Sequence, residues 1–268
     1  MVKKKSYRAA LTCHLSASKL DMGEQAGVKI EDDIINEFEK KKLGALRSLV
    51  ETQHDPTSKN VDDMTLRRFL RARNLNVEKA FRQLLNYLKW RQEFVPKGFI
   101  SESEISNDLV QRKFFSQGRD KRGRSIGVVL GAKHFPKKGG LDELKRCLVY
   151  FLDKLCSKLQ RGQDTFTVIS DLQGWGYSNC DMRASLVALS ILQDYYPERL
   201  GKLFVVNVPQ IFMAVWKLVY PFIDSNTRTK ISFVEKSKVR STLLQKIDES
   251  QLPENYGGKL TLVAIEDS

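Results

Sequence analysis

Tyr195-Tyr196-Pro197-Glu198-Arg199-Leu200-Gly201-Lys202-Leu203-Phe204-Val205-Val206-Asn207-Val208-Pro209 is the stretch whose reading decides the fold. A helical pattern over Met182–Tyr196 runs into Pro197, which has no amide proton and cannot continue a helix. The apolar run Leu203–Val208 follows and stops at Pro209, the signature of a buried strand. Glu198 and Arg199 fall on the tight connection between helix and strand. Their flanks are so apolar that both charges are expected beside packed surface rather than on an open loop.

On either side the same alternation repeats. Ser125–Leu130 (SIGVVL) reads as a strand after a turn-rich, charged stretch from Gly118 to Gly123. Leu141–Leu159 is a helix with apolar residues at 141, 144, 148, 152, 155 and 159. Phe166–Leu172 (FTVISDL) is a strand that leads into Gln173-Gly174-Trp175-Gly176. Beyond Pro209, Gln210–Tyr220 is a helix that is apolar on nearly every side, with only Gln210 and Lys217 clearly polar. A surface helix keeps a polar face, and this one is too short to span a bilayer. It is therefore buried all round, or it is a lid between a greasy cavity and something apolar outside. Lys230–Val234 is a last strand and Val239–Ile247 a last helix. Strands alternating with helices predict an α/β fold with a largely parallel sheet.

Upstream, residues 34–98 are helical throughout. Ile34, Phe38, Leu43, Leu46 and Leu49-Val50 recur at helical spacing, and His54-Asp55-Pro56-Thr57-Ser58 breaks the pattern. Asp62 or Asp63 is a candidate N-cap for Met64–Arg73. Val77–Phe94 is a further amphipathic helix, ended by Pro96 and Gly98. In the 64–73 helix, Leu66, Phe69 and Leu70 form one apolar stripe, and Arg73 returns to that stripe. An inward arginine needs an anion, because burying it alone is costly; alternatively it snorkels at the helix end.

The 268 residues carry 45 Lys+Arg against 32 Asp+Glu, a net charge of +13, and 41% are hydrophobic. Such a chain can bury a core, and its charge points to an anionic partner: a bilayer surface, phosphate groups or nucleic acid. Residues 1–33 are expected to be a basic, disordered tail, with Lys3, Lys4, Lys5, Arg8 and Lys19 and no acid in the first twenty positions. Cys13, Cys147, Cys156 and Cys180 have no CxxC spacing and read as free thiols. His14, His54 and His134 are too scattered for a metal site. Gly123-Arg124-Ser125-Ile126-Gly127 matches G-x-S-x-G in letters, but a charged turn precedes it and a strand follows, the reverse of a nucleophile elbow. Gly118–Ser125 likewise leads into a strand, with Arg124 where a phosphate-binding lysine belongs. No enzyme, metal or cofactor is implied. The arginines of the 64–73 helix split between faces and no aromatic stacking platform accompanies them, so nucleic acid is not expected as a partner.

Taken together, these segments resemble the CRAL-TRIO lipid-transfer family, and among its members the fungal and plant phosphatidylinositol transfer proteins. The resemblance covers residues 34–260. It is carried by Leu66-Arg67-Arg68-Phe69-Leu70-Arg71-Ala72-Arg73 with Trp90-Arg91, by Tyr195–Lys202 followed by Leu203–Pro209, by Phe222-Ile223-Asp224 with Thr227 and Lys230-Ile231, and by Leu252-Pro253 with Tyr256-Gly257-Gly258. It implies a helical N-terminal subdomain (34–98), a largely parallel β-sheet lobe enclosing a lipid pocket (99–260) and a short C-terminal tail (261–268). A gate helix, here Pro209–Tyr220, would close the pocket, with Phe212, Met213, Trp216 and Tyr220 as gate and membrane-contact residues. The resemblance assigns headgroup binding to Arg73, Glu198, Thr227 and Lys230. It implies a non-enzymatic carrier of phosphatidylinositol, cytoplasmic and peripherally membrane-associated, that works at an anionic membrane surface and can present lipid to a kinase. Members that also carry phosphatidylcholine place small hydroxyl residues on the strand where this chain has Phe166 and Val168, so phosphatidylcholine exchange is not expected. A sterol or isoprenoid carrier, or a phosphoinositide sensor without transfer, are the alternatives.

Overall fold

The computed structural model describes residues 23–53 and 61–268, with side chains from residue 36 onward. Three helices come first: α1 (Gly23–Glu51), α2 (Asp63–Ala72) and α3 (Val77–Phe94). Most of the expected N-terminal tail and the break at 54–58 fall outside the described residues. The first helix begins ahead of the expected start at 34. Asp62 is the N-cap of α2: its carboxylate accepts the Thr65 N–H at 2.8 Å, which satisfies one of the orphan amides of a helix start. Leu43, Leu46 and Val50 meet Leu66, Phe69, Leu70, Ala80 and Leu84 in one buried cluster. Phe38 and Leu49, read as part of the same stripe, are instead exposed.

A short helix α4 (Ser106–Leu109) leads into the lobe. Its strands are β1 (Phe114–Arg119), β2 (Ser125–Leu130), β3 (Phe166–Asp171), β4 (Leu200–Val206) and β5 (Ile231–Phe233), side by side in chain order. The β1–β2 hairpin is antiparallel, and the other pairs are parallel. The helices are α5 (Leu141–Ser157), α6 (Met182–Tyr195), α7 (Phe212–Val219), α8 (Ser225–Lys230) and α9 (Val239–Leu244). Right-handed crossovers between strands laid in sequence set the connecting helices on one face. Residues of α5 and α6 accordingly share a cluster with Phe114, Phe166 and Val168 of the sheet. The other face carries α9 and the chain to Tyr256, packed on Ile169, Phe204 and Val206.

The register explains this split. Val168 lies opposite Leu203 and Ile169 opposite Phe204, and successive residues of a strand point to opposite faces. The core strand β4 begins at Leu200, ahead of the apolar run that announces it, because Phe166 N–H donates to Arg199 O and extends the pairing. Ser125 sits in extended backbone at the start of β2, where its hydroxyl is buried and donates to Leu155 O. Cys147, Cys156 and Cys180 are free thiols. Among the described residues no helix is long and apolar enough to cross a membrane, and no cluster of potential ligands could hold a metal ion.

Several tethers join the helical unit to the lobe. The Gln83 amide donates to the Gln193 and Asp194 carbonyls at the end of α6, both at 3.0 Å. Trp90 stacks on Tyr195 with ring centroids 3.9 Å apart. Next to it, Arg91 and the Tyr196 hydroxyl both bind the carboxylate of Asp153 on α5. The two tyrosines that precede Pro197 thus fasten the helical unit over the start of β4.

Candidate functional site

Between the sheet and α5/α6 lies a cavity of about 300 Å³ with an almost wholly apolar wall. Phe114, Val129, Phe166, Val168, Leu200 and Leu203 form its floor, and Leu148, Val187, Ala188 and Leu192 its helical side. It leaves a trace in the burial pattern. Helix α6 is rich in apolar residues, yet only Ile191 is fully buried, because its neighbours face empty space instead of packed side chains. Thr167, between Phe166 and Val168, turns to the opposite face, and its hydroxyl donates to Asp120 at 2.7 Å. It therefore supplies no hydroxyl to this cavity.

A second, polar cavity of about 500 Å³ opens beside the first and shares Leu192 and Leu200 with it. Arg73, Glu198, Thr227 and Lys230 all line it. They come from four places in the chain: the C-cap of α2, the turn before β4, and the middle and end of α8. Arg73 closes α2 with non-helical backbone just after Ala72. It makes no side-chain ion pair among the described residues. Lys230 Nζ lies 2.9 Å from a Glu198 carboxylate oxygen, with both side chains mostly buried. The other Glu198 oxygen accepts from the Asn226 amide at 2.6 Å. Glu198 is held with φ +57°, a left-handed conformation that costs an L-residue roughly 1–2 kcal/mol. In this conformation its carboxylate is aimed at α8.

Helix α8 is set by its cap. Burial works against the Asp224 charge, yet the Thr227 hydrogen bonds, the Asn226 N–H and nearby Lys230 hold its carboxyl below the ordinary value. Asp224 N–H in turn donates to Gln193 of α6 at 2.9 Å. At Gly201 a β-carbon would stand 2.7 Å from the Arg124 guanidinium, so a larger residue there would make that side chain swing aside.

Sequence reading overlooked Asn226, although Asp224-Ser225-Asn226-Thr227 carries an N-cap signal at the start of a helix. It also overlooked Arg68, which is 7% exposed. Arg68 donates to the Thr65 hydroxyl, while its Nε has no partner. Burial first, and then Arg199, push its guanidinium down to about 10. A single-stripe reading of α2 misses it because the lobe closes the second side of that helix.

The all-round apolar helix α7 is not buried: none of its residues is. Phe212 and Trp216 turn inward onto Phe233, with centroids 6.5 and 5.0 Å apart, and Phe212 also meets Trp175 edge-on at 5.4 Å. Met213, Leu218 and Tyr220 are exposed. Residues 212–219 line neither cavity, whereas the turn that follows, Pro221–Ile223, walls the polar one.

Family models match in two places: the CRAL/TRIO domain over residues 109–258 and the CRAL/TRIO N-terminal domain over residues 37–86. The chain is 32% identical over 241 residues to the Sec14 cytosolic factor of Schizosaccharomyces pombe, covering 84% of this chain and 83% of that protein. It is 30% identical over 276 residues to the phosphatidylinositol/phosphatidylcholine transfer protein SFH12 of Arabidopsis thaliana, covering 96% of this chain and spanning half of that relative's length. The crystal structure of Sfh5 superposes with a TM-score of 0.59 at 25% identity, covering 72% of this chain and 70% of that one. With the domain model spanning more than half of its residues and the N-terminal model placed on α1–α3, the chain belongs to the CRAL/TRIO domain family.

Proposed function

We propose that this protein is a non-enzymatic carrier of a phospholipid, with phosphatidylinositol as the favoured ligand. One observation carries the reading: Arg73, Glu198, Thr227 and Lys230 converge on a polar cavity that shares walls with an apolar one. A lipid divides in the same way. Lys230 and Arg73 suit the phosphate, Thr227 donates to it, and Glu198 accepts hydrogen bonds from inositol hydroxyls. The acyl region lies on Phe166, Val168 and Leu203, where no strand hydroxyl awaits a choline phosphate. Phosphatidylcholine is therefore a poor second ligand in this reading, although a relative's name includes it.

Carriage answers a kinetic problem. A lipid with ~30 buried methylenes loses about 0.8 kcal/mol for each on entering water, some 25 kcal/mol altogether. A protein that offers a continuous apolar path at the bilayer removes that barrier. The exposed Met213 and Leu218 of α7, with Tyr220 just beyond it, form the apolar edge that meets the membrane, and Phe212 and Trp216 anchor the helix on Phe233 and Trp175. The basic surface docks weakly and in a salt-sensitive way on anionic lipids, which gives a cytoplasmic, peripherally membrane-associated protein able to hand lipid to a kinase. The test is transfer of labelled phosphatidylinositol from donor to acceptor vesicles. The wild-type protein is expected to accelerate it and Lys230→Ala to lose that acceleration. Tight binding without intervesicle movement would select a sensor or scaffold, and no binding at all would overturn the carrier.

A further inference from the structure

Helix α7 ends in a turn at Tyr220–Phe222 that contains Pro221. A helix end leaves carbonyls without intrahelical partners and carries partial negative charge. One side chain gathers the carbonyls of the turn just beyond this end. Arg228 Nε donates to Ile223 O at 2.8 Å, and its Nη2 donates to Tyr220 O at 3.1 Å and Pro221 O at 3.3 Å. Its guanidinium also lies 4.2 Å from the centroid of the Tyr220 ring. A planar fork of donors that stacks on an aromatic face is what arginine supplies and lysine does not. The inward side of α7 is held differently, by aromatic ring contacts of Phe212 and Trp216 with Phe233 and Trp175, which are apolar.

Arg228 stands on α8, a helix of six residues. Its neighbours Asn226 and Lys230 both reach Glu198, and Thr227 lines the same polar cavity. One short helix therefore touches the cavity through Asn226, Thr227 and Lys230 among others, and the turn after α7 through Arg228. We propose that Arg228 is a positioning residue that clasps the C-terminal end of α7 and couples the gate to occupancy of the polar cavity. The coupling half rests on the carrier reading, because it takes the ligand to be a lipid headgroup. A headgroup phosphate that takes Lys230 from Glu198 releases one tie of α8 to the β4 turn. Any shift of α8 then passes through Arg228 to Tyr220 and Pro221.

Hydrogen exchange on the full chain separates the two halves. In lipid-free protein, Arg228→Ala is expected to lower protection of peptides within 212–222 by about tenfold, in line with loss of hydrogen bonds from a charged donor. Peptides of β2 and β3 should be unchanged, and Arg228→Lys should restore only part of the loss. Unchanged protection at 212–222 in Arg228→Ala overturns the clasp, whatever the ligand. Vesicles containing phosphatidylinositol are then added. The wild-type chain is expected to change its exchange at 212–222. Arg228→Ala, whose cavity residues are intact, should still co-sediment lipid but show no such change. A response of wild-type size in Arg228→Ala overturns the coupling. Failure of the wild-type chain to take up phosphatidylinositol sinks the carrier reading and the coupling with it, and leaves the clasp decided by the lipid-free measurement.

Discussion

Adjacent residues of the same strand meet opposite worlds in this lobe. Phe204 of β4 is 2% exposed and packs on Leu243, Ile247 and Leu252, all completely buried. Leu203, one position earlier, is only partly buried and looks into a cavity of about 300 Å³. In β3, Ile169 is completely buried on the solid face and Val168 lines the cavity. Solid packing on one face secures the fold, and that leaves the other face free to stay hollow. A domain packed to uniform density would have no such space to give to a ligand.

The largest expected effect comes from thinning the solid face. Phe204→Ala should cost about 3–5 kcal/mol in urea unfolding, the range for a large side chain removed from a closed core. Leu203→Ala should cost roughly 1 kcal/mol or less, because its side chain already borders empty space. Equal losses at the two positions would erase the distinction between the faces.

Filling gives the complementary test. Overpacking a core ordinarily costs about 1–3 kcal/mol or more. Ile169→Trp on the solid face is expected to prevent stable folding. Leu203→Trp has the cavity to grow into and should unfold within about 1 kcal/mol of the wild-type chain. A soluble, cooperatively unfolding Ile169→Trp would show that the second face is also loosely packed.

In the polar cavity, Glu198 is both a proposed headgroup contact and a strained residue. Both Glu198→Ala and Glu198→Gly lose the carboxylate and should lower phosphatidylinositol affinity by about tenfold, some 1.4 kcal/mol. Glycine has no steric objection to φ +57°, so Glu198→Gly should unfold about 1 kcal/mol later than Glu198→Ala. Equal stability would mean that the turn is relaxed in the folded chain.

The smallest effect lies in pH. His134 faces Lys113 through one ring nitrogen and Asp181, the N-cap of α6, through the other. Burial first, and then Lys113, push its pKa below the ordinary histidine value despite Asp181 and Asp108. The folded state therefore takes up the proton less readily than the unfolded chain. This contribution to stability is complete above about pH 6.5, the unfolded value, and is lost as pH falls toward the lower folded value. A His134→Gln variant should show a flatter melting temperature between pH 5 and 7 than the wild-type chain. An unchanged slope would locate the dependence elsewhere.

Much of this was legible because apolar runs declare buried strands. Ser125–Leu130 stands as read, the strand read at Phe166–Leu172 ends one residue earlier at Asp171, and the helices at 141 and 182 start where their periodicity begins. Strand β1 escaped notice because Ser116, Gln117 and Arg119 interrupt its apolar residues and it pairs only at the sheet edge. The polar cavity was legible only in part. Periodicity turned Arg73 inward, and the charges around Pro197 were expected near packed surface. Neither Asn226 on Glu198 nor Arg228 on the turn at 220–223 can be read from spacing, since both depend on the fold returning α8 to the start of β4. The all-round apolar pattern of α7 pointed to burial first, with a lid as the competitor, and the exposed Met213 and Leu218 decide against burial.

The most direct measurement is native mass spectrometry after incubation with phosphatidylinositol vesicles, comparing the wild-type chain with Leu203→Trp. A single lipid adduct on the wild-type chain, absent from a folded Leu203→Trp, is the predicted result. Equal adducts on both, or none on the wild-type chain, would contradict a ligand housed in the hollow face of the sheet.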